Sequence, residues 1–556
     1  MLGRILGLVV DVGCLAGVFT LVTGGLRWRH HPVFGDLSLM SYGPFFLPLA
    51  LCLVFQVVPD SSRALRLVRQ LAARFDALPE RTQHRVTWIT LAVAVLSHGL
   101  FIYLRYAAFQ TGMDLAIYAN ACRGALYSTM KGDVWLFADH FEPILLLFTP
   151  LCRAFSPALS LLAVQTIGWG IGAYGIYKLA RVQGYRPSLA WLCALLYLNF
   201  TGHVTITYYD FHLLAIALGL LPWLWWAIAA ERYGWLITLG ILYLGLKESA
   251  ALTLVGTGAF LALSKNRRQR GVGIGFVALG AITFVLIMKV VYPAFRDGEG
   301  TMYFAKYYGH LGKDLPEVLH TALTRPGYFL YHLCRPIKLH YVYALLLPFL
   351  FFAIRYPIYL LPIAPAVFVN ILSNNTNLVA MQYHYEAEIY PALFAMALIA
   401  FTNPRWRALW LSVLLVGFSS QSALGLARWN LPKREQRKLA KQLEQVPRDR
   451  AIAAPQRIAA HLTDRPKLYM FDYWLMEDDW KRAELVVVGF HGKDLGWYTW
   501  NVLQTKKLPR MRPYLQLQYE DPEDPRFQIF EVQPEAAHAP TIADPNATAE
   551  HYDGKR

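Results

Sequence analysis

Five short polar constellations interrupt an apolar chain. They are Thr111-Gly-Met-Asp114-Leu-Ala-Ile-Tyr118, Asp139-His140-Phe-Glu142-Pro143, Tyr208-Tyr209-Asp210-Phe211-His212, Lys247-Glu248 and Gln382-Tyr383-His384-Tyr385-Glu386. Carboxylates, imidazoles and an ammonium group beside tyrosines suit acid–base work on an anionic substrate. A sugar linked to a lipid phosphate already carries a good leaving group. Its transfer needs a base for the acceptor hydroxyl and positive charge, from a metal ion or Lys/Arg, for the departing phosphate.

Asp114 reads as that base, with Asp139 and Glu248 as further catalytic carboxylates. Lys247, with Arg335 or Lys338 from the 293–340 segment, would hold the phosphate. Arg105, His140, Asp210, His212, His384 and Tyr385 read as substrate contacts, and Tyr303, Phe304, Tyr307 and Tyr308 offer flat faces for a sugar ring or prenyl chain. Asp139, His140 and His384 have ligand chemistry for a divalent metal ion, the one cofactor these residues suggest. Each group also has a plainer reading. Asp114 follows Gly112 and suits a helix cap; Asp139 to Glu142 suits a solvated loop; tyrosines beside His212 and His384 suit an interfacial aromatic belt; Lys247 and Glu248 suit a self-neutralising hairpin tip. The weight lies in all five falling on one side of a membrane.

That side follows from composition. Of 556 residues, 56% are apolar and 16% charged, and the mean hydropathy is +0.32. Soluble chains carry about 25% charged residues, so a soluble enzyme is excluded. Candidate spans fall at 4–22, 43–58, 87–107, 158–180, 188–200, 212–230, 233–246, 250–264, 273–292, 341–353, 357–372, 388–402 and 408–426. The net charge is +16, and +14 of it lies before Arg428. The connections at 59–86 and 265–272 are the most basic, which makes them cytoplasmic. Threading from them puts the N-terminus inside and the C-terminal domain outside. Cytoplasmic segments then hold 18 basic and 4 acidic residues. The surplus is a topology signal, and nucleic acid drops out as a partner. The first apolar segment lacks a small-residue cleavage site and reads as a retained anchor.

From about 430 the composition is that of a soluble domain. Ala451–Ala454, Lys467–Phe471, Glu484–Phe490 and Arg526–Val532 read as strands and Pro455–Leu462 as a helix, which predicts a small α/β fold. The tail after Pro534, rich in Ala, Pro, Asp and Thr, reads as disordered. Six cysteines show no metal-ligand spacing and read mainly as buried thiols, with Cys122 and Cys152 placed to pair on the outer side.

The ordered series from Thr111–Tyr118 through Asp139–Pro143, Asp210–His212 and Lys247-Glu248 to Gln382–Tyr385 resembles a bacterial family of multi-pass membrane proteins. That family is catalogued as domain of unknown function two-thousand-seventy-nine. The resemblance runs from about Leu91 to about Gly489. The family is similar in architecture to GT-C class membrane glycosyltransferases, which use polyprenyl-phosphate sugars. In that class an acidic residue of the first outer loop serves as base or metal-site carboxylate. The resemblance implies that Asp114 takes this position and Asp139 the second acidic one. The acidic pair often found there is absent, since Met113 precedes Asp114.

The expected protein is therefore an all-α polytopic membrane protein of about 13 transmembrane helices, GT-C-like, in a bacterial inner membrane. Residues 1–86 add two spans and a basic loop, 87–426 form the core, 427–534 an extracytoplasmic α/β domain and 535–556 a disordered tail. The expected activity is sugar transfer from a polyprenyl-phosphate donor to a glycan, lipid or protein acceptor on the outer side. A transporter or flippase, or a non-catalytic scaffold, is the alternative. The topology makes a direct prediction. A thiol placed by Arg268→Cys should react only with a membrane-impermeant maleimide added from the cytoplasmic side, and one placed by Ala440→Cys only from outside.

Overall fold

The computed structural model describes residues 2–31, 35–39, 41–55, 61–131, 133–296, 302–471, 478–489 and 508–539. The chain is mainly helical. Among the described residues four helices are long and apolar enough to cross a membrane: Gly3–Thr23, Glu80–Ala107, Pro157–Val182 and Arg267–Phe295. Seven shorter apolar helices accompany them, among them Pro187–Asn199, Leu213–Ala229, Tyr233–Leu244, Glu248–Ala262 and Tyr390–Ala400.

Three of the expected spans are broken, among them 408–426, which divides between the helices Pro404–Gly417 and Ala423–Trp429. Where 341–353 read as one helix, Pro336–Leu346 is followed by a 3-10 turn and then by Leu350 and Phe351, both with positive φ. Two β-neutral bulky residues in the left-handed region end the helix there. The 357–372 stretch divides into a 3-10 turn at Pro357–Leu360 and a helix at Ala364–Leu372, with prolines at both starts. The last part of the 43–58 span lies outside the described residues.

Helix starts are set by capping side chains. Ser156 accepts from the Leu159 N–H ahead of the Pro157 helix, and Asn266 accepts from Arg268 and Gln269. Asp11, inside the first helix, accepts from the Ser62 hydroxyl and from the backbone N–H of Arg63 and Ala64. An intramembrane carboxylate thereby caps the basic, amphipathic Arg63–Asp76 helix. Helices Pro157–Val182 and Ala217–Ala229 approach backbone to backbone, where a Cβ on Gly172 would run into the Leu218 carbonyl.

The C-terminal segment forms a five-stranded sheet in the order Leu468–Met470, Ile452–Ala454, Leu485–Val488, Asp524–Val532, Leu515–Asp521. The first three strands are parallel and the last two antiparallel. The Leu515–Asp521 strand was not anticipated from the sequence. Alternation along the strands divides the apolar residues between two layers. Ile452, Ala454, Leu468, Met470, Leu485 and Val487 join the core of the helical part, whereas Ala453, Tyr469, Val486 and Val488 form a separate cluster. Residues Pro534–His538 form a 3-10 turn with Ala536 buried in that second cluster, so order extends past the expected start of the tail. Residues 540–556 of the expected tail, and Phe490 of the expected strand, lie outside the described residues.

The sheet is bound to the helical part by polar and stacked contacts. The Thr129 hydroxyl donates to the Leu468 carbonyl and accepts from the Leu468 N–H, at 2.7 and 2.9 Å. His461 stacks between the rings of Tyr106 and Phe109, at 4.1 and 3.9 Å between centroids. Cys122 and Cys152 are free, buried thiols rather than a disulfide, donating to the carbonyls of Leu145 and Pro157 at 3.8 and 3.9 Å.

Gly172→Val forces a branched side chain against a backbone carbonyl and should destabilise the protein by about 1–3 kcal/mol or more. The expected readout is a lower melting temperature of the detergent-solubilised chain than for Gly168→Ala, where open space surrounds the glycine.

Candidate active site

The site is built around the helix Met113–Arg123, whose first turn carries Asp114. Gly112 precedes it with no side chain to satisfy the exposed N–H groups. That work falls to Asp210 from another segment. Its Oδ2 accepts from the N–H of Gly112 at 3.0 Å and of Leu115 at 3.4 Å, and its Oδ1 accepts from Phe211 at 2.9 Å. Expected among the substrate contacts, Asp210 is instead turned onto backbone. Burial, then the charge of Asp114, pushes its carboxyl up to about 7.

With the helix capped from outside, Asp114 is released from the capping role its position suggested. It is half-buried, and among the described residues its carboxylate takes no hydrogen bond. Burial raises its pKa above the ordinary carboxylate value, against the pull of Lys131, Lys247 and His140, whose charges reach it. A carboxylate of raised basicity with unused lone pairs is what a general base requires.

Two polar networks flank it. In the first, Lys131 pairs with Asp139, and His140 Nε2 lies 3.9 Å from the same carboxylate. His140 Nδ1 lies 3.0 Å from Glu248 Oε1, and Glu248 Oε2 accepts from the Phe141 N–H at 3.2 Å. Burial and Lys247 work against charge on His140, but the carboxylates of Glu248 and Asp139 outweigh them and its pKa is raised. Lys247 is half-buried, and its ammonium group makes no ion pair or hydrogen bond among the described residues. The hairpin tip that carries it is held by the Ile144 N–H donating to the Gly245 carbonyl at 3.1 Å.

The second network starts four residues on from Asp114, one helical turn along the same face. The Tyr118 hydroxyl donates to Glu142 Oε1 at 2.8 Å and lies 3.2 Å from His212 Nε2. His212 stacks on His384 with centroids 3.4 Å apart and planes 14° apart, and Tyr385 packs on the other ring edge at 4.4 Å. Glu142 is fully buried, with Oε2 unpartnered, and burial pushes it up to about 7. Both ring nitrogens of His384 are buried and unpartnered, and burial lowers its pKa well below the usual imidazole value.

The structure thus gathers Asp114, Asp139, His140, Lys247, Glu248, His212 and His384 into adjoining networks. It leaves Arg335 and Lys338 in a separate cationic group with His310 and His332. Arg105 donates to the Gln110 carbonyl at 3.3 Å and stands in the field of Asp210, behind the helix cap. The expected metal set is corrected. Asp139 pairs with Lys131 and His140 with Glu248, and no group of three His, Cys, Asp or Glu side chains among the described residues is arranged to hold a metal ion.

Lys131 carried no signal in the sequence, lying outside the five constellations. Gln165 was also missed. It donates to the carbonyls of Thr207 and Asp210 at 3.0 and 3.3 Å and accepts from the His212 N–H at 3.2 Å, fixing the turn that aims Asp210. Its position inside an apolar span was the one available hint. Glu388, bonded by the hydroxyls of Tyr243 and Ser249, is a further buried carboxylate near the hairpin.

Apolar helices around a buried polar centre define a multi-span membrane protein. The model of one family, described as DUF2079, predicted membrane protein, matches residues 100–511. The chain belongs to that family. None of the curated proteins matches it. Among solved structures, the Archaeoglobus fulgidus oligosaccharyltransferase in complex with zinc and sulfate is similar at a TM-score of 0.39 and 13% identity, over 80% of this chain and 73% of that one. The same enzyme tethered to an acceptor peptide containing the NVT sequon gives 0.39 and 11%, over 81% and 74%. A likeness of that size does not equate the two folds.

Removing the external cap should disorganise the site. Asp210→Ala is expected to cost about 1–2 kcal/mol of stability, as lost helix caps do. Asp210→Asn, which keeps an acceptor oxygen, should recover most of it. Thermal melts of the two variants beside the wild type check this.

Proposed function

We propose that this chain is a GT-C-like membrane glycosyltransferase that moves a sugar from a polyprenyl-phosphate donor to an acceptor hydroxyl on the extracytoplasmic side. The observation that carries the reading is Asp114: half-buried, raised in basicity, unbonded, and within the field of two lysines and an imidazole. In this reaction Asp114 takes the proton of the acceptor group. The acceptor atom attacks the anomeric carbon, and the bond from that carbon to the phosphate oxygen breaks. The phosphate leaves with the electron pair, and Lys247, whose ammonium group has no partner among the described residues, offsets its charge. Asp139, His140 and Glu248 keep Lys131 and the loop in place and steady the local charge.

The orientation proposed with this function puts the N-terminus in the cytoplasm and the 427–534 unit outside. The reciprocal Thr129–Leu468 bonds support a role for that unit in bracing the catalytic loop.

A transporter remains the second reading, favoured by one feature: the Glu142–Tyr118–His212–His384 chain has the make-up of a proton relay in a membrane interior. Asp114→Asn decides between them. In purified, reconstituted protein it should lower transfer from a radiolabelled polyprenyl-phosphate sugar by about 100-fold or more. In the wild type, kcat/KM should fall as pH drops, with its acid limb displaced above the range of an ordinary aspartate, because the base works only deprotonated. Solute uptake into proteoliposomes with no turnover of donor would instead favour transport.

A further inference from the structure

Beyond the Asp114 networks lies a second polar centre, made of basic side chains alone: Lys338, Arg335, His310 and His332. Lys338, in the first turn of the helix Pro336–Leu346, is only 3% exposed, and its ammonium group has no hydrogen-bond partner. Both ring nitrogens of His310 are likewise buried and unpartnered. The His310 and His332 rings are 4.7 Å apart, and both stand in the fields of Lys338 and Arg335. Among the described residues no carboxylate acts on any of these three groups. A buried ammonium without a counter-charge costs several kcal/mol of solvation (order of magnitude), and a bound anion offsets that cost. Burial, with Arg335, pushes Lys338 down to about 8, the direction an anion would reverse.

The flank of this centre is apolar and open. Leu315, Leu319 and Leu323 recur every fourth residue on the helix Leu315–Thr324 and are exposed, Leu323 to 82%. Leu330 and Tyr331, on the next helix, continue the exposed face. Tyr328 joins face and centre, its hydroxyl donating to the His310 carbonyl at 3.0 Å and its ring lying 4.5 Å from that of His332. Only three residues before His310, Tyr307 stands in the fields of Lys247, Asp139 and Lys131. Tyr307 thereby links the basic centre along the chain to the candidate active site.

We infer that Lys338, Arg335, His310 and His332 form the seat of a phosphate group whose hydrocarbon chain lies along the Leu315–Leu319–Leu323 face: a polyprenyl phosphate bound by head and tail together. This rests on the glycosyltransferase reading and gives its polyprenyl-phosphate carrier a seat separate from Lys247, which meets the phosphate during transfer. A head that binds cations and a tail that binds leucines distinguish this ligand from free phosphate and from a neutral prenol.

The test is equilibrium binding to the full chain in lipid nanodiscs, with undecaprenyl phosphate, undecaprenol and inorganic phosphate as separate probes. Undecaprenyl phosphate should bind at least about tenfold more tightly than either of the others. Lys338→Met should lose about tenfold for undecaprenyl phosphate, and Leu319→Ser with Leu323→Ser should weaken it while leaving inorganic phosphate unchanged. Equal binding of undecaprenol overturns the phosphate seat, and equal binding of inorganic phosphate overturns the hydrocarbon face. Wild-type affinity in Lys338→Met overturns the assignment of that residue. Should Lys338→Met fail to fold, His310→Gln and Arg335→Gln decide the same point, with wild-type affinity in both counting against the seat. Asp114→Asn should bind as the wild type does. Intact binding with no transfer by the wild type would sink the glycosyltransferase reading and leave the seat standing.

Discussion

The carboxylate of Asp210 on the N-terminus of the Met113–Arg123 helix is the interaction on which the candidate site depends. A helix start leaves several N–H groups without partners, and an acidic residue in its own first turn usually attends to them. Here a distant segment supplies the acceptor, so Asp114 keeps its lone pairs. The cap is itself secured from the Pro157–Val182 helix, where Gln165 bonds three backbone groups of the 207–212 turn. A chain of hydrogen bonds thus runs from a mostly buried transmembrane helix to the freedom of one carboxylate.

Around that carboxylate, burial and charge act in opposition. Desolvation disfavours ionised Asp114, Glu142 and Asp210, while Lys131, Lys247 and His140 favour the ionised form of Asp114. Carboxyls whose basicity is raised by their surroundings are suited to exchanging protons. Asp139 and Glu248 sit differently, each engaged by a basic partner, and this keeps the loop and the hairpin tip together. The two networks divide the labour between a reactive group and the scaffold that surrounds it.

Much of this was legible beforehand. The apolar blocks at Pro157–Val182 and Arg267–Phe295, and the alternating strands Ile452–Ala454, Leu468–Met470 and Leu485–Val488, follow from local periodicity. The polar constellations stood out because their cost in an apolar chain marks them. Gln165 did not stand out because its partners lie 42 to 47 residues along the chain, and Lys131 because a lone loop lysine carries no mark of the Asp139 carboxylate it meets. The expected metal ligands are likewise suitable by type alone: Asp139 meets Lys131 and His140 meets Glu248, and among the described residues the three are not gathered into one set. The Leu515–Asp521 strand escaped notice because its residues are mostly polar and exposed, pairing at the sheet's edge.

What the amino-acid sequence determined by itself was the membrane character, the residue types able to do acid–base chemistry, and the helices and strands that a local apolar period dictates. These depend on neighbours within a few positions. Tertiary structure alone decided which carboxylate caps and which stays free, which histidines stack, and which lysine is left without a partner. Those outcomes rest on hydrogen bonds and charges between segments some 25 to 340 residues apart, such as Tyr118 with Glu142 and Thr129 with Leu468. No local pattern encodes them, because each is a competition among buried polar groups settled only when the chain has packed.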